Sequence, residues 1–597
     1  MESIDLEPDH SKTLPPPVTS HEKSWSQSAK DSAKDVFKRF TTKDGLIGSV
    51  DYKYLFTPTM PFTKKKGNPP PFFGVYDKMP LLLACLLGLQ HALSMMGGLV
   101  AASLLFAQMA SLSNGYTEYM VSASLISAGI LSFVQIKRFR IPYTHYYIGT
   151  GTVSVLGTSF STVPVFGTAL PIMYKNGFCP VAEDGTHLPC PDAYGAFLGT
   201  AALCALLEIL LSFTPQKILL KVFPPIVNGP VVLLIGTSLL QSGMQDWAGG
   251  GGCMSKGAMC PSADAPHPHP WGSGQFIGLG FSVFVTILIC DKWGPPFMKS
   301  CSIVVGLLVG CIIAAACGYF SHQQIDAAPA GQFLWVKTFK LQLYGPIVLP
   351  MLAVYIVCTM ESIGDITATC DVSRVAIEGT EFESRIQGGL LASGLASVAG
   401  ALMTLQPQSS FAQNNGVIAM TQCAARYSGY FACFWLVLMG VVGKFSASIV
   451  AIPSSVIGGM TTFLFTSVAV SGLRLISVAK FTRRDRVVLT ISLMWGFASL
   501  LVPNWFEGIF TYKGDNNGLQ GFIDALIIVV QTPYAIGGIA GVIANLMFPP
   551  CDDMDIHAGK TVHEIENEEA ECSTNYEVEE LTGVTAVESA GPHKQDL

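Results

Sequence analysis

The chain has 597 residues, half of them hydrophobic and only 13% charged, with a net charge of −7. Spread evenly, that composition would suit a very apolar soluble enzyme, but the charges crowd into residues 1–75, short loops and residues 551–597, leaving apolar runs of ~17–25 residues between them, enough to cross a hydrocarbon core. A lipid-facing backbone must satisfy its own hydrogen bonds, so these runs are expected to be helices of an all-α integral membrane protein.

In chain order, residues 1–75 read as a cytoplasmic N-terminal segment, disordered over 1–34. Residues 1–20 carry no apolar stretch, so insertion is expected to be directed by the membrane helices themselves. Residues 76–550 form the transmembrane unit, with fourteen spans expected at 79–100, 116–136, 147–163, 194–213, 225–242, 275–291, 301–320, 344–366, 386–404, 411–425, 429–452, 456–476, 487–503 and 522–548. Residues 551–597 are expected to be a disordered, acidic cytoplasmic tail, crowded with Glu564, Glu566, Glu568, Glu569, Glu571, Glu577, Glu579 and Glu580.

Orientation follows from Lys and Arg in short loops. Lys137, Arg138 and Arg140, Lys217 and Lys221, Lys292 and Lys299, and Arg474, Lys480, Arg483, Arg484 and Arg486 follow even-numbered spans. Lys38, Arg39, Lys43, Lys64, Lys65 and Lys66 precede the first span and fall on the same side, so both termini are expected in the cytoplasm. Of the sixteen cysteines most lie in apolar runs, whereas Cys179 with Cys190 and Cys253 with Cys260 occupy loops that this rule places outside. Disulfides persist there, which makes two loop staples plausible. Neither pair has metal-ligand spacing, and no metal, cofactor or nucleic-acid partner is expected.

Ionisable and amide side chains inside spans are costly and mark functional sites by default. Gln90 and His91 stand in the first span, within LGLQHALSMMGG. Ser159 and Phe160 lie in GTGTVSVLGTSFSTVPVFG, Glu361 and Asp365 in ESIGDITATCD, and Gln413, Asn414 and Asn415 in SSFAQNNGVIAMTQ. Glu361 and Asp365 are four apart and so share one helix face. The third and tenth segments are short and broken by Gly, Pro or consecutive amides, a pattern tolerated at membrane depth only around a cavity. Counted as two sevens, the clusters fall in corresponding first and third spans, which points to an inverted repeat. Plainer readings exist for each. His91 would serve equally as a satisfied core histidine, the amides could knit helices together, and Glu208 is expected to be paired within the bundle. Phe434 and Trp435 read as core or interface anchors.

Gln413-Asn414-Asn415-Gly416 through Thr421 resembles the signature of the nucleobase–ascorbate transporter family. Gln90-His91 is similar to that family's first-helix pair and ESIGDITATCDVSR to its eighth-helix motif; the likeness runs from about residue 44 to 550. It implies a homodimeric elevator of the plasma membrane that carries purines with protons. Core helices 1–4 and 8–11 would move past gate helices 5–7 and 12–14. Gln413 and Glu361 would bind the purine, Phe160 would stack on it, and backbone at Ala412 and Phe160, beside Ser159, would complete the site. Asp365, His91, Gln90, Asn414, Asn415 and Thr421 would support or couple, and Arg486, Thr532 and Tyr534 would act at the gate. Two positions depart from the family pattern. Gln422 follows Thr421 where a basic residue is usual, and Ser393 stands where many relatives carry Asp.

The residues fit this chemistry on their own terms. A xanthine edge alternates donors and acceptors, which a Gln amide matches and a carboxylate partly matches; an aromatic face covers the ring. Competing readings are a non-transporting purine sensor, motivated by Ser393 and Gln422, and a same-fold transporter of another small solute or anion. A channel would need a continuous polar pore, whereas these polar groups cluster at one depth. A membrane enzyme would need a nucleophile or metal constellation, and the sequence offers none.

Overall fold

The computed structural model describes residues 41–58, 71–183, 185–253, 259–260, 267–320, 323–477, 479, 481–503, 505–506, 508–509 and 516–548; the acidic tail and residues 1–40 lie outside them. Two short N-terminal helices, α1 (Lys43–Leu46) and α2 (Tyr52–Phe56), are capped by the side chains of Thr42 and Asp51. Leu55 of α2 is buried with Met79, Leu83, Leu87, Cys423 and Ala425, so part of the N-terminal segment packs beneath the bundle.

The first half continues with α3 (Leu81–Met109), α4 (Asn114–Lys137), a small hairpin of β1 (Phe139–Arg140) and β2 (Tyr147–Ile148), β3 (Leu156–Thr158), α5 (Thr162–Lys175), α6 (Pro191–Cys204), α7 (Leu206–Leu211), α8 (Gln216–Val222) and α9 (Pro225–Trp247). A second hairpin, β4 (Met259–Cys260) with β5 (His269–Pro270), leads to α10 (Gly274–Trp293), α11 (Pro296–Ser300), α12 (Ser302–Ala316) and α13 (Gln323–Ala327). The second half comprises α14 (Gly345–Val372), α15 (Thr380–Leu402), β6 (Gln408–Ser410), α16 (Gln413–Thr421), α17 (Arg426–Val441), α18 (Gly443–Val450), α19 (Ser454–Ile476), α20 (Arg483–Leu501), α21 (Asn517–Gln531) and α22 (Pro533–Met547).

Among the described residues, seven helical spans are long and apolar enough to cross a bilayer: α3, α4, Pro191–Leu211, α9, α10, α14 and α19. The pair α21 and α22 also passes when taken together but bends by 86° where Pro533 interrupts the helix, and α12 is a shorter apolar helix. Large apolar side chains face outward, among them Leu210, Ile312, Leu308, Phe281 and Ile543. In water such a surface would drive association, and in lipid it needs no partner.

The expected helix over 147–163 does not form, and the difference shapes the site. Gly149 and Gly151 adopt positive φ (96° and 74°), a region open to glycine, so the chain turns instead of coiling. Gly149 donates its N–H to Gly388 of α15. Leu156–Thr158 then runs extended, and the helix begins only at Thr162. The second half repeats the arrangement, with β6 leading into α16, so only Gln413–Thr421 of the expected 411–425 span is helical. β3 and β6 pair antiparallel, Leu156 with Ser410, Gly157 with Ser409 and Thr158 with Gln408. Each strand supplies the other's backbone partners, which the surrounding lipid and core could not.

Helices close on one another through glycine. On α9, Gly229, Gly236 and Gly243 recur every seven residues along the seam with α19; a Cβ on Gly236 would lie 2.4 Å from the backbone N of Ala469. Small residues at such a seam let backbones approach and gain dispersion contact. α17 packs against α3 and α4, while α15 packs against α6 and α7. Both expected loop staples form, Cys179–Cys190 and Cys253–Cys260, each with Cα atoms 5.6 Å apart.

Candidate functional site

Because β3 and β6 run antiparallel, the chain leaves them towards α5 and α16 from opposite ends of the short ribbon. Ser161 precedes α5 and Ala412 precedes α16, and neither N-terminus receives a side-chain cap. Among the described residues, the backbone N–H groups of Phe160, Ser161, Ala412 and Gln413 have no backbone acceptor. Uncapped N-terminal donors are the groups a ligand's acceptors seek.

Aromatic side chains line the same place. Phe160 is nearly buried, lies parallel to Phe411 with ring centroids 6.3 Å apart, and meets Phe465 of α19 edge-on at 5.5 Å. Glycine makes room for Phe411: a Cβ on Gly157 or Gly98 would stand 2.7 or 2.8 Å from its ring.

The polar groups come from α3, α14, α16 and the turn between β3 and α5. Ser161 Oγ lies 3.5 Å from Glu361 Oε2, and Ser159 Oγ lies 2.9 Å from Ser161 Oγ and 3.3 Å from the Cys358 thiol. Gln413, half-buried at the first position of α16, forms no side-chain hydrogen bond among the described residues, and Asp365, also half-buried, forms none. His91 Nδ1 meets Asn414 Oδ1 at 3.1 Å. Asn415 receives the Thr369 hydroxyl at 2.6 Å and donates to the Asp365 carbonyl at 3.5 Å. Gln90 donates to the Pro296 carbonyl at 3.3 Å and leaves its own carbonyl oxygen without a partner.

Of the expected gate residues, Tyr534 reaches inward: its hydroxyl donates to the Ser161 carbonyl at 2.5 Å, tying α22 to the start of α5. Thr532 is buried at the α21–α22 bend and donates to Ile528. Arg486 stands exposed in the first turn of α20, with no polar side-chain contact to the other site residues. Thr421 bonds back to Val417 within α16, a structural position rather than a ligand-facing one. Gln422 ends that helix in a left-handed conformation and accepts from Arg374 at 3.1 Å, so the cation at this spot comes from the end of α14. Phe411, Phe465, Ser161 and Cys358 escaped the sequence reading. Phe411 alone carried a signal, its place two residues before the amide run.

The family model Xan_ur_permease, described as a permease family, matches residues 83–505. The chain belongs to this family, the nucleobase–ascorbate transporters. As a permease it is a transporter and not an enzyme. The Purine permease of Emericella nidulans is 52% identical over 573 residues, covering 95% of this chain and 97% of that protein. The Uric acid-xanthine permease of the same organism is 55% identical over 512 residues, 86% of this chain and 89% of that one. Xanthine permease XanP of Escherichia coli is 29% identical, over 79% and 94%. Among solved structures, the murine Slc26a9 anion transporter in the inward-facing state superposes with a TM-score of 0.51 at 11% identity, covering 78% of this permease and 68% of that chain. At that identity the likeness concerns the fold alone.

Proposed function

We propose that this permease is a proton-coupled purine symporter of the plasma membrane, with xanthine and uric acid its principal substrates. The observation that carries the reading is Gln413, an amide with no hydrogen-bond partner among the described residues, at an uncapped helix start two residues from Phe411, whose ring lies parallel to Phe160. A flat heterocycle with alternating donors and acceptors satisfies that set: the amide and N–H groups pair its edges, Glu361 accepts from a ring N–H, and Phe160 covers its face. Ala412 and Ser159 border the same space, with His91, Gln90, Asn414, Asn415 and Asp365 holding the frame. The names of the two fungal relatives support the choice of purine. Glu361 is the group proposed to take up the coupled proton.

The proposal extends to architecture. Fourteen spans in two inverted sevens would form a core of helices 1–4 and 8–11 and a gate of helices 5–7 and 12–14. The core would slide as an elevator, in a homodimer with both termini cytoplasmic. The pairing of β3 with β6 and the matching starts of α5 and α16 support the inverted repeat. Tyr534, reaching across to Ser161, and Thr532 beside it are then gate contacts that must release as the core moves.

Uptake of radiolabelled xanthine and uric acid, in cells lacking their own purine permeases, tests this reading. Saturable, purine-competed uptake that collapses when the proton gradient is dissipated is the expected result. Binding without uptake would replace the transporter with a sensor.

A further inference from the structure

Glu208 belongs to none of the contacts so far described. It sits in α7, the short helix that follows the bend at Ala205, and its side chain is completely buried. Neither carboxylate oxygen has a hydrogen-bond partner, and no Lys, Arg or His pairs with it among the described residues. The expectation of a partner within the bundle is therefore not met.

Three elements enclose it. From α15 the Ser393 hydroxyl faces the carboxyl group, itself buried without a partner. The α15 backbone presses close there, since a Cβ on Gly394 would lie 3.0 Å from the backbone N of Ile209. From α14 the titratable groups facing Glu208 are Tyr355, Cys358 and Glu361. From α6, Cys204 is a neighbour of Tyr355. The Tyr355 hydroxyl is likewise buried, with Ser397 beside it. Among the described residues no positively charged group faces Glu208.

A carboxylate at membrane depth, with no cation and only the Ser393 hydroxyl beside it, is not a sustainable state; the neutral acid is. A proton held there for structure alone would make glutamine an equal occupant. The position argues for more. Glu208 and Glu361 both act on the Cys358 thiol, which lies 3.3 Å from Ser159, so Cys358 neighbours both Glu208 and the proposed substrate site.

We propose that Glu208 is a second proton-binding carboxyl of the transport cycle, loaded in the packing seen here and emptied when α7 and α15 part enough to admit water. The step is a simple protonation. The carboxylate forms an O–H bond with a proton from the side of higher proton concentration, and that bond breaks to water on the other side. The inference rests on the symport reading above.

Purified permease in proteoliposomes provides the test, with xanthine binding and xanthine-driven proton uptake measured on the same sample. Glu208→Gln should bind xanthine within about twofold of the parent and still exchange it across the membrane. Protons moved per xanthine should fall, and gradient-driven accumulation should drop at least tenfold. Glu208→Asp, which keeps a releasable proton, should restore coupling. A parent-like proton-to-xanthine ratio in Glu208→Gln overturns the inference and leaves symport standing. A parent protein that takes up xanthine without protons sinks the symport reading itself. Should Glu208→Gln fail to bind xanthine, Ser393→Asp decides: a second carboxyl against Glu208 should displace the pH of half-maximal uptake, and an unmoved profile rejects the proposal.

Discussion

Nδ1 of His91 lies 3.1 Å from Oδ1 of Asn414, joining α3 to α16 across 323 residues of sequence. With Oδ1 of Asn414 turned to the ring, the contact suits the tautomer in which the imidazole donates from Nδ1. The contact fixes the orientation of Asn414 and leaves His91 Nε2 and Asn414 Nδ2 without partners beside Gln413. The side chain next to the proposed recognition amide is thus held by a helix from the other half of the chain.

Gln413→Ala should weaken purine binding while the protein still reaches the cell surface. The substitution deletes one donor and one acceptor and leaves polar edges of an enclosed purine unpaired. Such a loss costs about 1–3 kcal/mol, or roughly 5- to 150-fold in affinity. Competition of labelled xanthine at equal surface expression measures it; unchanged affinity would remove Gln413 from the site.

Glu361→Gln keeps the shape of the side chain but cannot give up a proton. Binding should survive, accumulation against a gradient should stop, and uptake should lose its dependence on external pH. A variant that still concentrates xanthine with the parent pH profile would take Glu361 out of the coupling step.

Gly157→Ala tests the strand-borne part of the site. The new methyl would stand 2.7 Å from the Phe411 ring, which is already parallel to Phe160. Overpacking of this kind costs about 1–3 kcal/mol. The variant should therefore lose affinity and melt earlier, and a parent-like binding curve would separate Phe411 from recognition.

The loop staples should make separate contributions to stability. Non-reducing peptide mapping should recover Cys179 linked to Cys190 and Cys253 linked to Cys260. Cys190→Ser should lower thermal stability by the equivalent of about 2–4 kcal/mol. Free thiols at all four positions would disprove both.

Tags at Met1 and Leu597 should resist protease added to intact cells. Digestion at either end would reverse the orientation drawn from loop charge.

Much of this arrangement was legible because membrane depth makes polar residues conspicuous. Gln90, His91, Glu361 and the Gln413–Asn415 run stand out against apolar neighbours; of these, His91 meets Asn414 in α16 and Glu361 meets Ser161 before α5, whereas Gln90 bonds to Pro296. The strands hid because three-residue segments have no measurable period, and a Thr- and Val-rich run inside an apolar stretch reads as part of a span. Phe465 hid for a different reason. One aromatic among many on α19 has nothing to distinguish it until Phe160 lies edge-on against it. Glu208 was visible as an anomaly, but its want of a partner is a fact of packing that no local pattern encodes.

The pairing of β3 with β6 also has a bearing on how the protein is made. Leu156–Thr158 is synthesised about 250 residues before Gln408–Ser410, and each strand has backbone groups that the other alone completes. Throughout that interval the earlier strand is an open edge within a nascent membrane bundle, available to chaperones or to wrong partners. Assembly of the binding site is therefore a late event in biogenesis, and a chain halted before residue 408 can possess six of the seven long apolar helices found among the described residues and still have no place for a ligand. Surveillance that samples ligand occupancy would detect such truncated or misjoined chains directly.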